Sequence, residues 1–150
     1  MLFRSVVGAS PVLLEKSPPN ITKIWWLRKT FKNSKFIILS RDPRAVSGAT
    51  QKWSRTSLPD LMMHWNVAYS RALADYREED CLIVRYEDLC ENVSRELGRI
   101  SEFVGIPLRS FSDSEDSRFK DLTNQNGEYL KLHACRNYGT GVWGKFGYEV

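Results

Sequence analysis

Arg41 is the side chain whose setting most readily suggests chemistry. The apolar run Phe36 to Leu39 leads to this basic residue, and Asp42, Pro43 and a helix-compatible stretch follow at once. A buried strand that opens into a helix, with a guanidinium at the junction, is suited to holding a phosphate. Arginine grips such oxygens with a planar fork of donors. An ordinary strand-to-helix turn with a surface arginine fits the same residues. These residues alone leave both readings open.

Other reactive side chains are few. Cys81, Cys90 and Cys135 are odd in number and share no CxxC spacing, so they read as free thiols. His64 and His133 are the two histidines, and no zinc pattern surrounds them. His133 and Cys135 make half a metal site at most; a solvated loop pair is the expectation, and no metal is expected.

The rest of the composition fits a packed domain. The chain has 150 residues, 42% of them hydrophobic, which suits one domain spanning 1–150. A domain of that size buries roughly 70% of its unfolded surface. Five Trp, six Tyr and seven Phe argue against disorder. A net charge of +4 fits an anionic small molecule. No basic tract or basic–aromatic array points to nucleic acid. Nothing resembles a signal peptide or transmembrane segment. Asn20-Ile21-Thr22 and Asn92-Val93-Ser94 match the glycosylation sequon, but helix capping explains both asparagines as well.

Three apolar runs read as strands of a covered parallel sheet: Val12 to Leu14, Phe36 to Leu39, and Leu82 to Val84. Helical segments between them predict an α/β fold, a three-layer arrangement with helices flanking the sheet. The first helix starts near Asn20, and the second at Asp42, an N-cap followed by Pro43. The third starts near Ser57, where Ser57 and Asp60 resemble a capping box, and buries Leu61, Trp65, Ala68, Tyr69 and Ala72. The fourth runs from about Asn92 to Val104. Its apolar face is Val93, Leu97, Ile100, Phe103 and Val104, and Gly105 stops it. Arg109 to Lys120 reads as a polar loop. The tail from Gly139 is irregular, yet too aromatic for a free linker.

Three segments, in order, resemble the sulfotransferases that use 3′-phosphoadenosine 5′-phosphosulfate (PAPS). They are Leu13-Leu14-Glu15-Lys16-Ser17-Pro18-Pro19-Asn20; Arg41-Asp42-Pro43-Arg44-Ala45-Val46 with Gln51-Lys52-Trp53 behind it; and Arg85-Tyr86-Glu87-Asp88-Leu89 followed by a helix and Phe103-Val104-Gly105. The closing Phe146-Gly147-Tyr148 is similar to the end of many members. The resemblance implies a P-loop NTPase-like fold, PAPS as sulfuryl donor, and a sugar, alcohol or phenol hydroxyl as acceptor, on a small molecule or a carbohydrate.

It also implies roles. Arg41 matches the arginine that binds the donor's 3′-phosphate, and Tyr86 a tyrosine that contacts the adenine. Glu87 and Asp88 are then structural, one capping a helix and one pairing with Arg85 or Arg44. The family usually carries a serine eight positions after the arginine; here Ala49 stands there. Thr50 is displaced by ~100° around the helix and is the better substitute; Ser47 lies on the opposite side. Losing one hydrogen bond to a charged group costs about 1.5–3 kcal/mol, so donor affinity is expected to be poor.

Sulfuryl transfer needs positioning, cationic stabilisation and a base. Lys16 is the cation assigned by resemblance, at the end of the first expected strand. Glu15 would point to the opposite face of such a strand. His64, inside a helix, is expected to be packed and to take no part.

One feature of the family is missing. Members cradle the 5′-phosphosulfate in a loop of the type G-x-P-[KR]-[SGT]-[GST]-T. Gly8-Ala9-Ser10-Pro11 is the nearest stretch, and it lacks the cation and the threonine. The expectation is a domain lacking its first strand and that loop, truncated at the N-terminus. The competing reading is a non-catalytic remnant that binds adenosine 3′,5′-bisphosphate or pairs with a partner subunit. The compartment stays open between cytoplasm and Golgi lumen. Another P-loop enzyme is disfavoured, because no G-x-x-x-x-G-K-[ST] occurs.

Overall fold

Two of the three apolar runs form strands, and they lie side by side. In the computed structural model, which describes residues 12–107 and 122–150, β1 (Phe36–Ser40) pairs in parallel with β2 (Cys81–Arg85). The register runs from Phe36 opposite Cys81 to Ser40 opposite Arg85. Both strands therefore end at the same rim, where Arg41 and Tyr86 follow. The Gly8–Pro11 stretch and the Arg109–Lys120 segment lie outside the described residues.

The third run departs from expectation. Val12, Leu13 and Leu14 form no strand and are about half exposed or more. An apolar run this short specifies a strand only when a neighbouring strand takes up its main-chain groups. Pro18–Thr22 then makes a 3-10 turn, and α1 (Ile24–Thr30) begins four residues later than Asn20. Of α1, Ile24 alone is fully buried. Its Arg28 pairs with Asp80 at the start of β2.

The crossover from β1 to β2 holds two well-capped helices. In α2 (Pro43–Gln51) the Asp42 side chain accepts the Arg44 N–H at 2.8 Å, with proline in the first turn. In α3 (Leu58–Asp75) Ser57 accepts the Asp60 N–H at 3.3 Å and donates its hydroxyl to the Asp60 carboxylate at 2.6 Å. Leu58, Met62, Trp65, Ala68 and Ala72 form its buried stripe. His64 lies on the exposed side of the same helix and is not packed.

After β2 come α4 (Tyr86–Glu91) and α5 (Val93–Val104). Asn92 caps α5 by accepting the Arg95 N–H at 2.9 Å, and Gly105 ends it at φ 70°, a backbone state that suits glycine. The expected apolar face of α5 is half-buried only. Its most buried residue is Glu96, 1% exposed and paired with Arg95 and Arg99.

The core gathers on one side of β1. Ile38 points into it with Ile24, Met62, Trp65 and Cys81, and the tail supplies Trp143, Phe146 and Tyr148. Trp65 stacks on Tyr69 with ring centres 4.0 Å apart, and the Phe146 ring meets it edge-on at 5.6 Å. Ile37 and Leu39, on the other side of the strand, are 39% and 53% exposed. The aromatic tail thus completes the core, through a 3-10 turn at Val142–Phe146. Among the described residues no helix is long and apolar enough to cross a membrane.

Candidate functional site

Arg41 stands where β1 gives way to α2, so both elements fix its backbone. Its guanidinium carbon lies 4.5 Å from the centre of the Tyr86 ring and 5.6 Å from that of Tyr129. Tyr86 opens α4 directly after β2, and Tyr129 belongs to α6 (Asn126–Leu130). Two phenol rings thus contact the cation and orient it. Arg41 Nε donates to Asn126 Oδ1 at 2.8 Å, while its Nη2 is shielded from solvent with no hydrogen-bond partner.

Glu87 organises the rim behind this arginine. Its Oε1 accepts the Asp42 N–H at 2.9 Å and the Asn126 side-chain amide at 2.6 Å. Its Oε2 accepts the Tyr148 hydroxyl at 2.9 Å, which also lies 3.0 Å from Ser40 Oγ. Burial raises the Tyr148 phenol above its ordinary pKa, so it keeps its proton to donate. Arg85 lies over the Tyr148 ring at 4.8 Å and pairs with Asp88 at 3.5 Å.

Two main-chain donors at the start of α2 are already engaged. The Asp42 N–H is taken by Glu87 and the Arg44 N–H by Asp42. Asp42 is itself paired with the Arg44 guanidinium at 2.8 Å.

The cluster is packed from the α6 side. Gly48 on α2 approaches Tyr129 so closely that an added Cβ would sit 3.0 Å from its Cβ. Lys52, at the end of α2, donates to the Tyr129 hydroxyl at 3.2 Å and lies 4.5 Å from the ring centre. Ala49 and Thr50 are both half-buried on α2, and Ser47 is buried with its hydroxyl unpartnered.

The residues proposed from sequence are thus only partly assembled. Arg41 and Tyr86 are in contact, and Thr50 shares α2 with Gly48. One face of the Tyr86 ring carries the guanidinium, and its hydroxyl donates to the Thr123 carbonyl at 3.0 Å. Lys16 lies in an exposed irregular stretch, not at a strand end; Glu15 accepts a 3.5 Å bond from Asn20. Asn126, Tyr129, Tyr148 and the central role of Glu87 were not foreseen. The resemblance of Phe146-Gly147-Tyr148 to a family ending is the one sequence signal for Tyr148.

His133 departs from its expectation. It is 5% exposed rather than solvated, and its Nδ1 lies 2.6 Å from the Tyr138 hydroxyl. Burial, aided by the charges of Arg44 and Arg136, lowers its pKa. Among the described residues no cluster of three or more His, Cys, Asp or Glu side chains is placed to hold a metal.

Comparison with known proteins bears on the family and the fold. The chain is 29% identical over 108 residues to protein-tyrosine sulfotransferase A of Caenorhabditis elegans, covering 65% of this chain and 28% of that protein. It is 33% identical over 113 residues to protein-tyrosine sulfotransferase 2 of Gallus gallus, covering 68% of this chain and 29% of that protein. The chain therefore spans under a third of the length of these relatives. A sulfotransferase domain from the curacin biosynthetic pathway shares the fold, with a TM-score of 0.65 at 18% identity, over 95% of this chain and 64% of that one. The sequence profile of the sulfotransferase family matches residues 2–110, a stretch that holds β1, β2 and the Arg41–Tyr86 pair, and on that match this chain belongs to the sulfotransferase family.

Proposed function

We propose that the rim at the ends of β1 and β2 is the nucleotide-binding half of a PAPS-dependent sulfotransferase site. The observation that carries this reading is Arg41. A guanidinium in contact with two phenol rings, with one shielded nitrogen unpartnered, is a prepared anion receptor. A buried donor without a partner costs about 1–3 kcal/mol, which a phosphate oxygen would recover.

In this reading Arg41 binds the 3′-phosphate, Tyr86 borders the adenine, and Thr50 adds a hydroxyl from α2. Lys16 stabilises charge on the sulfuryl group as it transfers. That assignment rests on the Leu14-Glu15-Lys16-Ser17 motif. PAPS, when bound, supplies the activated sulfuryl group; the chain's own residues hold the nucleotide and orient it.

A phenol hydroxyl is the acceptor favoured here, because both curated relatives named above are protein-tyrosine sulfotransferases. Incubation with labelled PAPS and a panel of tyrosine peptides, sugars and simple alcohols tests this. Transfer to tyrosine that is lost in Arg41→Ala and reduced in Lys16→Ala is the expected result. A thermal shift with adenosine 3′,5′-bisphosphate, without transfer to any acceptor, would replace the enzyme reading by a nucleotide-binding one.

A further inference from the structure

We infer that Glu87 and Asn126 are positioning residues that aim Arg41, leaving its two terminal nitrogens, Nη1 and the solvent-shielded Nη2, to bind a phosphate. The inference rests on the reading of Arg41 as the phosphate-binding residue, and deepens it.

The three residues come from separate elements: Arg41 from the β1–α2 junction, Glu87 from α4 and Asn126 from the start of α6. The order of contacts is fixed by donor and acceptor chemistry. Glu87 only accepts, so Asn126 must turn its amide nitrogen toward it, at 2.6 Å. The amide oxygen then faces Arg41 Nε at 2.8 Å. The reverse orientation would set oxygen against carboxylate and nitrogen against guanidinium. A single atom, Glu87 Oε1, also accepts the N–H of Asp42, the residue after Arg41, at 2.9 Å. It therefore holds the backbone beside Arg41 and, through Asn126, the far end of its side chain.

Two consequences follow for the ligand. The side-on fork of Arg41, which uses Nε, is closed by Asn126, and the end-on fork remains. Moreover, a neutral amide stands between carboxylate and guanidinium. A carboxylate bonded directly to Arg41 would compete with the phosphate for its charge; the amide orients the cation without neutralising it. Asn126 is 6% exposed, so water does not substitute readily for it.

Calorimetric titration of the chain with adenosine 3′,5′-bisphosphate and with adenosine 5′-monophosphate reads this directly. The ratio of the two affinities isolates the 3′-phosphate, and general loosening of the fold would weaken both ligands together. Asn126→Ala is expected to lower the ratio about ten-fold or more, the size of one hydrogen bond to a charged group. Asn126→Asp, of nearly the same size, is expected to lower it too, by placing a competing carboxylate on Arg41; it serves if the alanine variant misfolds. Glu87→Gln should retain more of the ratio than Glu87→Ala. In an Arg41→Ala background, Asn126→Ala should change nothing further.

An unchanged ratio in both Asn126 variants, with Arg41→Ala still lowering it, overturns the positioning role and leaves Arg41 as the receptor. An unchanged ratio in Arg41→Ala, or no binding of either nucleotide by the parent chain, overturns both.

Discussion

The hydroxyl of Tyr148 donates to the carboxylate of Glu87 at 2.9 Å, joining the chain's last aromatic residue to the rim of the sheet. The same oxygen lies 3.0 Å from the buried Ser40 hydroxyl. Tyr148→Phe keeps the ring in the core and removes this shared group. Leaving Ser40 and one Glu87 oxygen short of a partner should cost about 1–3 kcal/mol. A melting curve should show a fall of about 2–4 °C per kcal/mol for a chain of this size.

Arg41→Ala should abolish the thermal shift produced by adenosine 3′,5′-bisphosphate. Arg41→Lys should restore little of it. Lysine lacks the planar fork and cannot place one nitrogen on Asn126 while offering two others to an anion. A full shift in Arg41→Ala would place the anion elsewhere.

Ala49→Ser tests the departure from the usual serine. If α2 presents that position to the phosphate, the added hydroxyl should tighten nucleotide binding about ten-fold, as one hydrogen bond to a charged group would. Thr50→Ala should weaken it. Titration of both variants against the parent decides whether Thr50 already serves in place of the serine.

Gly48→Ala sets two effects against each other. Alanine favours a helix by about 1 kcal/mol over glycine. Its Cβ would sit 3.0 Å from Tyr129 Cβ, 3.1 Å from Tyr129 Cδ1 and 3.2 Å from Leu132 Cδ1. Three close contacts on packed side chains should outweigh the propensity gain, at about 1–3 kcal/mol for overpacking. Chemical denaturation should show a net loss of stability. Nucleotide affinity should fall as well, because Tyr129 would move off Arg41.

His133 makes stability depend on pH. Burial lowers its pKa from the ordinary 6.5; Arg44 and Arg136 add to this, against a smaller opposing pull from the Arg44 main chain and Asp42. The unfolded chain then binds more protons than the folded one. The histidine's contribution is full above 6.5 and is lost as pH falls toward the lower folded value. Asp80, held below its ordinary 3.8 by the Arg28 hydrogen bond, titrates under that window. Melts from about pH 8 to about pH 5 should show declining stability, and His133→Gln should flatten the decline.

Local chemistry was legible where it closes on itself over a few residues. Asp42 followed by Pro43, Ser57 with Asp60, and Gly105 after Val104 each specify a helix end through main-chain groups nearby, and all three ends lie where those residues place them. Arg41 could be singled out because it follows an apolar run and precedes a helix; Tyr86 is assigned by the resemblance alone, and parallel strands in register bring the two to one rim. The run Val12 to Leu14 misled because three apolar residues are too few to show a period.

What the sequence determined, then, was the α/β class, the caps and the basic residue at the strand end. Tertiary structure alone decided what surrounds that residue. Asn126 lies 85 positions from Arg41, and Glu87 and Tyr148 lie 61 positions apart. No periodicity links such distant side chains. Their meeting depends on where the tail and α6 pack: the tail through burial of Trp143, Phe146 and Tyr148 in the core, and α6 through Tyr129 against Gly48. These long-range hydrogen bonds depend on that apolar packing to hold their partners together.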